Sequence, residues 1–257
     1  MIKEIKVKNA LLPSKLHGID YALNPYKGCA HACVYCYAPE VIHWDKGRWG
    51  DMVEVKINPP RILSKELRAN KKGVIGIGTV TDPYQPVEKK YEITRRCLEV
   101  LLLRDFPVCI QTKSSLVLRD VDIIKKFSDI EVGLTLTVLD DMLRKRIEPR
   151  ASSVKERLYA LEQLEKLGIS TWVFLGPVLP YITEVDSLID AIVSANPKYV
   201  IIDKLRLRKG VWKRVKEFVM GPKLLEEYEN LQESYYIETF DRMKTRCEEK
   251  GIRCLIS

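Results

Sequence analysis

No run of eighteen or more apolar residues occurs in the 257-residue sequence, so none of it reads as a membrane-spanning helix. The opening stretch MIKEIKVKNA alternates charged with apolar side chains, which excludes a signal peptide as its reading. No segment has the composition of a disordered chain, and no linker interrupts it; 46% hydrophobic residues are enough for a full core. The seven cysteines include no second Cys-x-x-Cys, so the two-pair pattern of a structural zinc is missing. With no export signal, these thiols are expected to be reduced, and the protein cytoplasmic with no membrane partner. Histidine is scarce: His17 and His43 carry no pattern, and His31 sits inside a cysteine-rich loop.

What is present begins with charge. Lys and Arg number 43 against 35 Asp and Glu, a net charge of +8 that permits an anionic partner without demanding one. Next comes NPYKGCAHACVYCYA, which spaces Cys29, Cys33 and Cys36 along one short loop. Thiolates select zinc, copper(I) or iron–sulfur clusters over hard cations. A structural zinc or an electron-transfer cluster takes four protein ligands. Three ligands leave a position open for a substrate or cofactor.

Apolar, β-branched runs at 73–80, 107–113, 130–138, 170–178 and 199–205 read as buried strands, and a further strand near 19–24 leads into the cysteine loop. Amphipathic stretches lie between them near 91–105, 116–127, 152–167 and 184–195, leaving room for a crossover helix in each βα unit. Ser153 and Glu156 make a capping box, Gly168 ends that helix, and Pro59–Pro60 opens another over 60–70. The reading is an α/β chain of one domain over 1–257. Its core, about 19–212, is an open, partial (βα)6 barrel of parallel strands; a helical C-terminal extension covers 213–257.

In barrels of this kind chemistry gathers where the strands end. GTVTDPYQPVE (78–88) offers Thr81 and Asp82 as ligand contacts on a Pro-punctuated loop. Lys113 ends an apolar run where it either snorkels to water or meets a carboxylate. Thr135 and Thr137 share one face of a buried strand and need hydrogen-bond partners. Glu148, Arg150 and Arg157 surround a helix start, and either arginine is suited to a carboxylate. Pro177, Pro180 and Tyr181 stand at the exit of the 170–178 strand. The run KLRLRKGVWKRVK (204–216) interleaves cations with Trp212, as phosphate contact plus base stacking requires, although such a run also serves as a solvated face. Cys97, Cys109, Cys247 and Cys254 are read as structural.

Cys-x-x-x-Cys-x-aromatic-Cys, with Tyr35 before Cys36, resembles the radical S-adenosylmethionine (SAM) signature. NPYKGCAHACVYCYA together with TDPYQPVE resembles that superfamily's spore photoproduct lyase-related branch. The resemblance implies a 4Fe–4S cluster held by Cys29, Cys33 and Cys36, with SAM chelated at the fourth iron. Reduction by a flavodoxin- or ferredoxin-type partner would then cleave SAM to a 5′-deoxyadenosyl radical that abstracts hydrogen from substrate. It also implies cofactor contacts at Tyr35, Thr81, Asp82, Lys113, Thr135 and Arg150, and the partial barrel already read from the strands. The branch's namesake repairs a thymine dimer in DNA, so a nucleic acid or other anionic substrate is the implied partner. This sequence departs from the lyases in being shorter and in carrying no thiol on Gly78-Thr79-Val80-Thr81, where they place a hydrogen-donating cysteine. Tyr37 or Tyr84 would have to quench the product radical instead. The rival readings are a non-catalytic nucleic-acid-binding protein with a structural metal or cluster, and a zinc site in a different barrel enzyme.

Overall fold

The computed structural model describes residues 1–44, 46–218 and 221–257. Its strands, in chain order, are β1 Ile2–Ile5, β2 Leu11–Pro13, β3 Tyr21–Leu23, β4 Tyr26–Lys27, β5 Val53–Lys56 and β6 Ile75–Ile77. They continue with β7 Val108–Thr112, β8 Ile130–Thr135, β9 Ser170–Val178, β10 Tyr199–Lys204 and β11 Arg253–Ile256. An eight-stranded sheet runs β11-β10-β9-β8-β7-β6-β3-β2, and every pairing in it is parallel except the one between β2 and β3. Two of its strands, β2 and β11, pair on one side only, so the sheet is an open barrel. A small sheet, β1-β5-β4, carries the chain into the cysteine loop.

The strand register separates two faces. Val108 and Ile110 of β7, Val132 and Leu134 of β8, Val173 and Leu175 of β9, and Val200 and Ile202 of β10 are all at most 2% exposed. The alternate residues, such as Cys109, Gln111, Gly133, Trp172 and Tyr199, share the other face. There Trp172 stacks on Tyr199 at 6.0 Å and lies so close to Gly133 that an added Cβ would come within 2.2 Å of its ring. Glycine at 133 is what admits the indole.

The sequence expectations hold for the parallel βα core and change at its margins. The run 73–80 is strand only over Ile75–Ile77, because Gly78 turns the chain at φ +100°. The stretch 116–127 is a 3-10 turn, Ser115–Asp120, followed by one α turn, Val121–Ile124. The capping box forms as expected, with Ser153 and Glu156 bonding each other's backbone at the start of Val154–Lys166. After the helices Lys209–Phe218, Pro222–Glu229 and Glu233–Glu249, the extension ends in β11, a seventh parallel strand beside β10. The segment 213–257 is therefore not helical throughout.

Candidate functional site

Strand β4 leads into Gly28, whose φ of +84° and lack of a side chain are both needed, since a Cβ would stand 2.7 Å from the Met52 carbonyl oxygen. Then follow Cys29 and Cys33, both buried, and Cys36, half-buried, all as free thiols. Side chains from distant segments hold this loop. The Gln85 amide brackets Cys29: its oxygen accepts from Ala30 N–H at 2.8 Å and its nitrogen donates to Gly28 C=O at 3.2 Å. Thr81 adds a 2.7 Å bond to the same Gly28 carbonyl. Val34 N–H donates to Ile147 C=O at 2.9 Å, and Arg214 donates to the carbonyls of Val34 and Cys36.

Burial pushes the Cys29 thiol up to about 12, helped by the Asp82 and Cys36 charges and opposed by the backbone N–H groups of His31 and Asp82 aimed at its sulfur. Burial also raises Cys33 and Cys36, against the Lys113 ammonium, while Ala38 N–H and Arg214 further oppose the rise at Cys36. Each thiol lies within electrostatic reach of another. Three soft donors on one loop, with N–H groups turned toward two of the sulfurs, suit an iron–sulfur cluster, whose binding expels the thiol protons.

Asp82 ties the ends of β6 and β7 together. Its Oδ1 accepts from the Thr112 hydroxyl at 2.7 Å and Tyr84 N–H at 2.9 Å; its Oδ2 accepts from Lys113 N–H at 2.7 Å and lies 3.3 Å from His31 Nδ1. Burial works against the carboxylate, but His31 and these bonds hold it down at about 2. His31 itself is 1% exposed.

A second buried knot lies beside the thiols. Glu148 accepts from the Tyr35 hydroxyl and pairs with the Arg157 guanidinium, which also donates to the Thr135 carbonyl at 2.8 Å. Tyr35 reaches Thr137 Oγ1 at 3.3 Å, and Lys113 Nζ stands 5.7 Å over the Tyr35 ring. Burial would lower Lys113, but the thiols and the carboxylates of Glu148 and Asp82 raise it, so it stays an ammonium. Gln111 reaches the Thr135 hydroxyl at 3.4 Å.

Tyr35, Thr81, Asp82 and Lys113 thus gather on the buried side of the loop, with Thr135 joined to them through Arg157, whereas two expected residues lie elsewhere. Arg150 turns outward, bonding the carbonyls of Ala30 and Gly50 and the Asp51 carboxylate, on a surface hollow shared with Met1, Val87 and Lys90. The inward guanidinium is that of Arg157. Tyr84 is fully buried, in the field of Asp120 and Glu88, instead of facing the opening. Tyr37 does face it, 46% exposed, with its hydroxyl on the Thr79 carbonyl at 2.8 Å. Sequence reading also missed Gln85 and Arg214. The signal for Arg214 was its place in the helical stripe Val211, Arg214, Val215, Phe218.

Residues 23–192 match the family model of the radical SAM superfamily. The chain belongs to that superfamily. It is 41% identical over 189 residues to an uncharacterised protein of Methanocaldococcus jannaschii, covering 73% of this chain and 71% of that one. It is 22% identical over 183 residues to the radical SAM Nalpha-GlyT isomerase of Pseudomonas phage M6, covering 69% of this chain and 38% of that one. Among solved structures, spore photoproduct lyase complexed with dinucleoside spore photoproduct superposes with a TM-score of 0.77 at 14% identity, over 99% of this chain and 81% of the other. Radical SAM proteins use a 4Fe–4S cluster and SAM and need an electron donor. Membership gives no support to a non-catalytic binding protein. Among the described residues, no helix is long and apolar enough to cross a membrane.

Proposed function

We propose that this radical SAM protein is a cytoplasmic enzyme acting on an anionic substrate, a nucleic acid, at the strand-end opening, with Cys29, Cys33 and Cys36 holding the cluster. A cluster held there would supply the one-electron reduction of SAM, drawing that electron from the external donor. The chain's own residues do the rest. Lys113, whose ammonium stands over the Tyr35 ring, would hold the SAM carboxylate, with Thr135 as a further contact. Thr81 and Asp82 act from behind, fixing Gly28 and the end of β7. Tyr37 is the tyrosine placed to return hydrogen at the opening, and Arg150 braces the loop from outside.

The observation that carries the substrate class is the link between Tyr37 and the basic run. Cys36 and Lys113 on one side, and Asp203 and Arg206 on the other, all lie within Coulombic reach of the Tyr37 hydroxyl, so the loop of thiols and the start of the 204–216 run both border on one tyrosine. In that run Arg208, Lys209 and Lys213 are exposed and have no ion-pair partner among the described residues. Tyr181, 50% exposed, packs against Tyr235 at 4.6 Å. Unpaired cations and an exposed aromatic ring are the groups that phosphate contact and base stacking require. The likeness to a lyase solved with a dinucleoside supports the same class.

The test is SAM cleavage by the anaerobically reconstituted protein with dithionite, with and without single-stranded DNA and RNA oligonucleotides. The expected result is faster 5′-deoxyadenosine formation with an oligonucleotide whose binding weakens steeply with salt and is lost in Lys213→Glu. Oligonucleotides that neither bind nor stimulate, with SAM cleavage intact, would transfer the reading to a small-molecule substrate.

A further inference from the structure

The helix Lys209–Phe218 lies outside the matched residues 23–192, yet one of its side chains grips the thiol loop. Arg214, 18% exposed, donates from Nε to the Val34 carbonyl at 3.1 Å and from Nη2 to the Cys36 carbonyl. Its Nη1 faces the Glu40 carboxylate at 3.4 Å. The guanidinium therefore pinches the Val34–Cys36 backbone, and three bonded directions leave it little freedom. It lies within Coulombic reach of the Cys36 thiol, as does Glu40 with the opposite sign. The other cation near that sulfur, Lys113, comes from the end of β7, where it is available to a cofactor.

One-electron reduction adds negative charge to an iron–sulfur cluster. Its potential depends on net charge, hydrogen bonding and burial around the ligands. A cation fixed in a partly buried setting is screened less than one in water and favours the reduced form.

We infer that Arg214 is a positioning residue of the C-terminal extension that fixes the Cys36 segment and raises the reduction potential of the cluster. The extension is then part of the redox site. Arginine serves this double task because its charge persists while its fork satisfies two carbonyls. The inference rests on the reading of Cys36 as a cluster ligand.

The experiment compares wild type with Arg214→Gln, Arg214→Lys and Glu40→Gln after anaerobic loading with iron and sulfide. Midpoint potentials are read by mediated titration with electron paramagnetic resonance, alongside iron per chain. Arg214→Gln is expected to move the midpoint to a more negative potential. Arg214→Lys, which keeps the charge, is expected to stay near wild type, and Glu40→Gln to move to a more positive potential. A midpoint unchanged in Arg214→Gln, or Arg214→Lys falling with it, overturns the inference. Where Arg214→Gln fails to retain iron, the other two decide: Lys near wild type with Glu40→Gln more positive supports it, and any other pair overturns it. Wild-type protein that takes up no cluster defeats the ligand reading itself, whereas a normal cluster indifferent to Arg214 defeats only this inference.

Discussion

Glu148 and Arg157 form an ion pair in which each side chain is 1% exposed, and through it the helix Val154–Lys166 is fastened to the residues beside the thiol loop. The carboxylate also takes the Tyr35 hydroxyl, and the guanidinium takes the carbonyls of Ser152 and Thr135 at 2.9 and 2.8 Å. Removing one partner of such a pair leaves a buried charge uncompensated, at about 3–5 kcal/mol. Glu148→Gln and Arg157→Met are each expected to lower the urea stability of the cluster-free protein by roughly that amount. The double variant should cost clearly less than the sum of the two. Additive losses below about 1 kcal/mol would show that the pair does not organise this region.

The same carboxylate carries a pH dependence. Burial opposes ionisation of Glu148, but Arg157, Lys113 and the Tyr35 bond prevail and hold it below its ordinary value of 4.5. A depressed carboxylate contributes stability that is present above the unfolded value and lost as pH falls through the folded one. Wild-type urea midpoints should therefore drop below pH 4.5. Glu148→Gln, less stable at neutral pH, should show a shallower acid limb. Parallel limbs for the two proteins would assign the acid loss to other groups.

Gln85 makes a prediction about metal retention. Gln85→Leu leaves Ala30 N–H without its acceptor and Gly28 C=O with only its Thr81 bond. An orphaned buried group costs about 1–3 kcal/mol. Reconstituted Gln85→Leu should lose iron to a chelator several-fold faster than wild type. Gln85→Glu, which still accepts from Ala30, should fall between them. Equal release rates for all three would mean that the bracket does not position Cys29.

Gly133 tests the interior of the open barrel. Gly133→Ala drives a methyl group into the Trp172 ring, and overpacking of this kind costs roughly 1–3 kcal/mol. Trp172→Leu in the same chain should recover part of the loss, as read from thermal midpoints. A Gly133→Ala protein as stable as wild type would contradict the packing described.

The parallel core was legible because strands buried on both faces are written as apolar, β-branched runs; β9 occupies the run 170–178 in full. Strand β11 was not, since RCLI is a short run behind a long helix and only its partner β10 makes it a strand. Covalent spacing wrote the thiol loop plainly into the sequence. The arginines were harder: Arg150 and Arg157 flank the same helix start, and which one turns inward depends on where Glu148 lies after folding. Tyr84 sits in the same loop as Asp82, yet it lies in the field of Glu88, four residues on, and of Asp120, carried by an element further along the sequence. Arg214 hid in a basic run whose composition speaks of solvent, while its spacing from Val211 and Val215 speaks of burial.

The most direct test is anaerobic reconstitution with iron and sulfide, followed by SAM and dithionite, with 5′-deoxyadenosine quantified for wild type and Cys33→Ala. About four iron atoms per wild-type chain, visible iron–sulfur absorbance, and SAM cleavage that disappears in the variant are expected. Wild-type protein that binds no cluster, or Cys33→Ala that forms as much 5′-deoxyadenosine as wild type, would contradict the cluster reading.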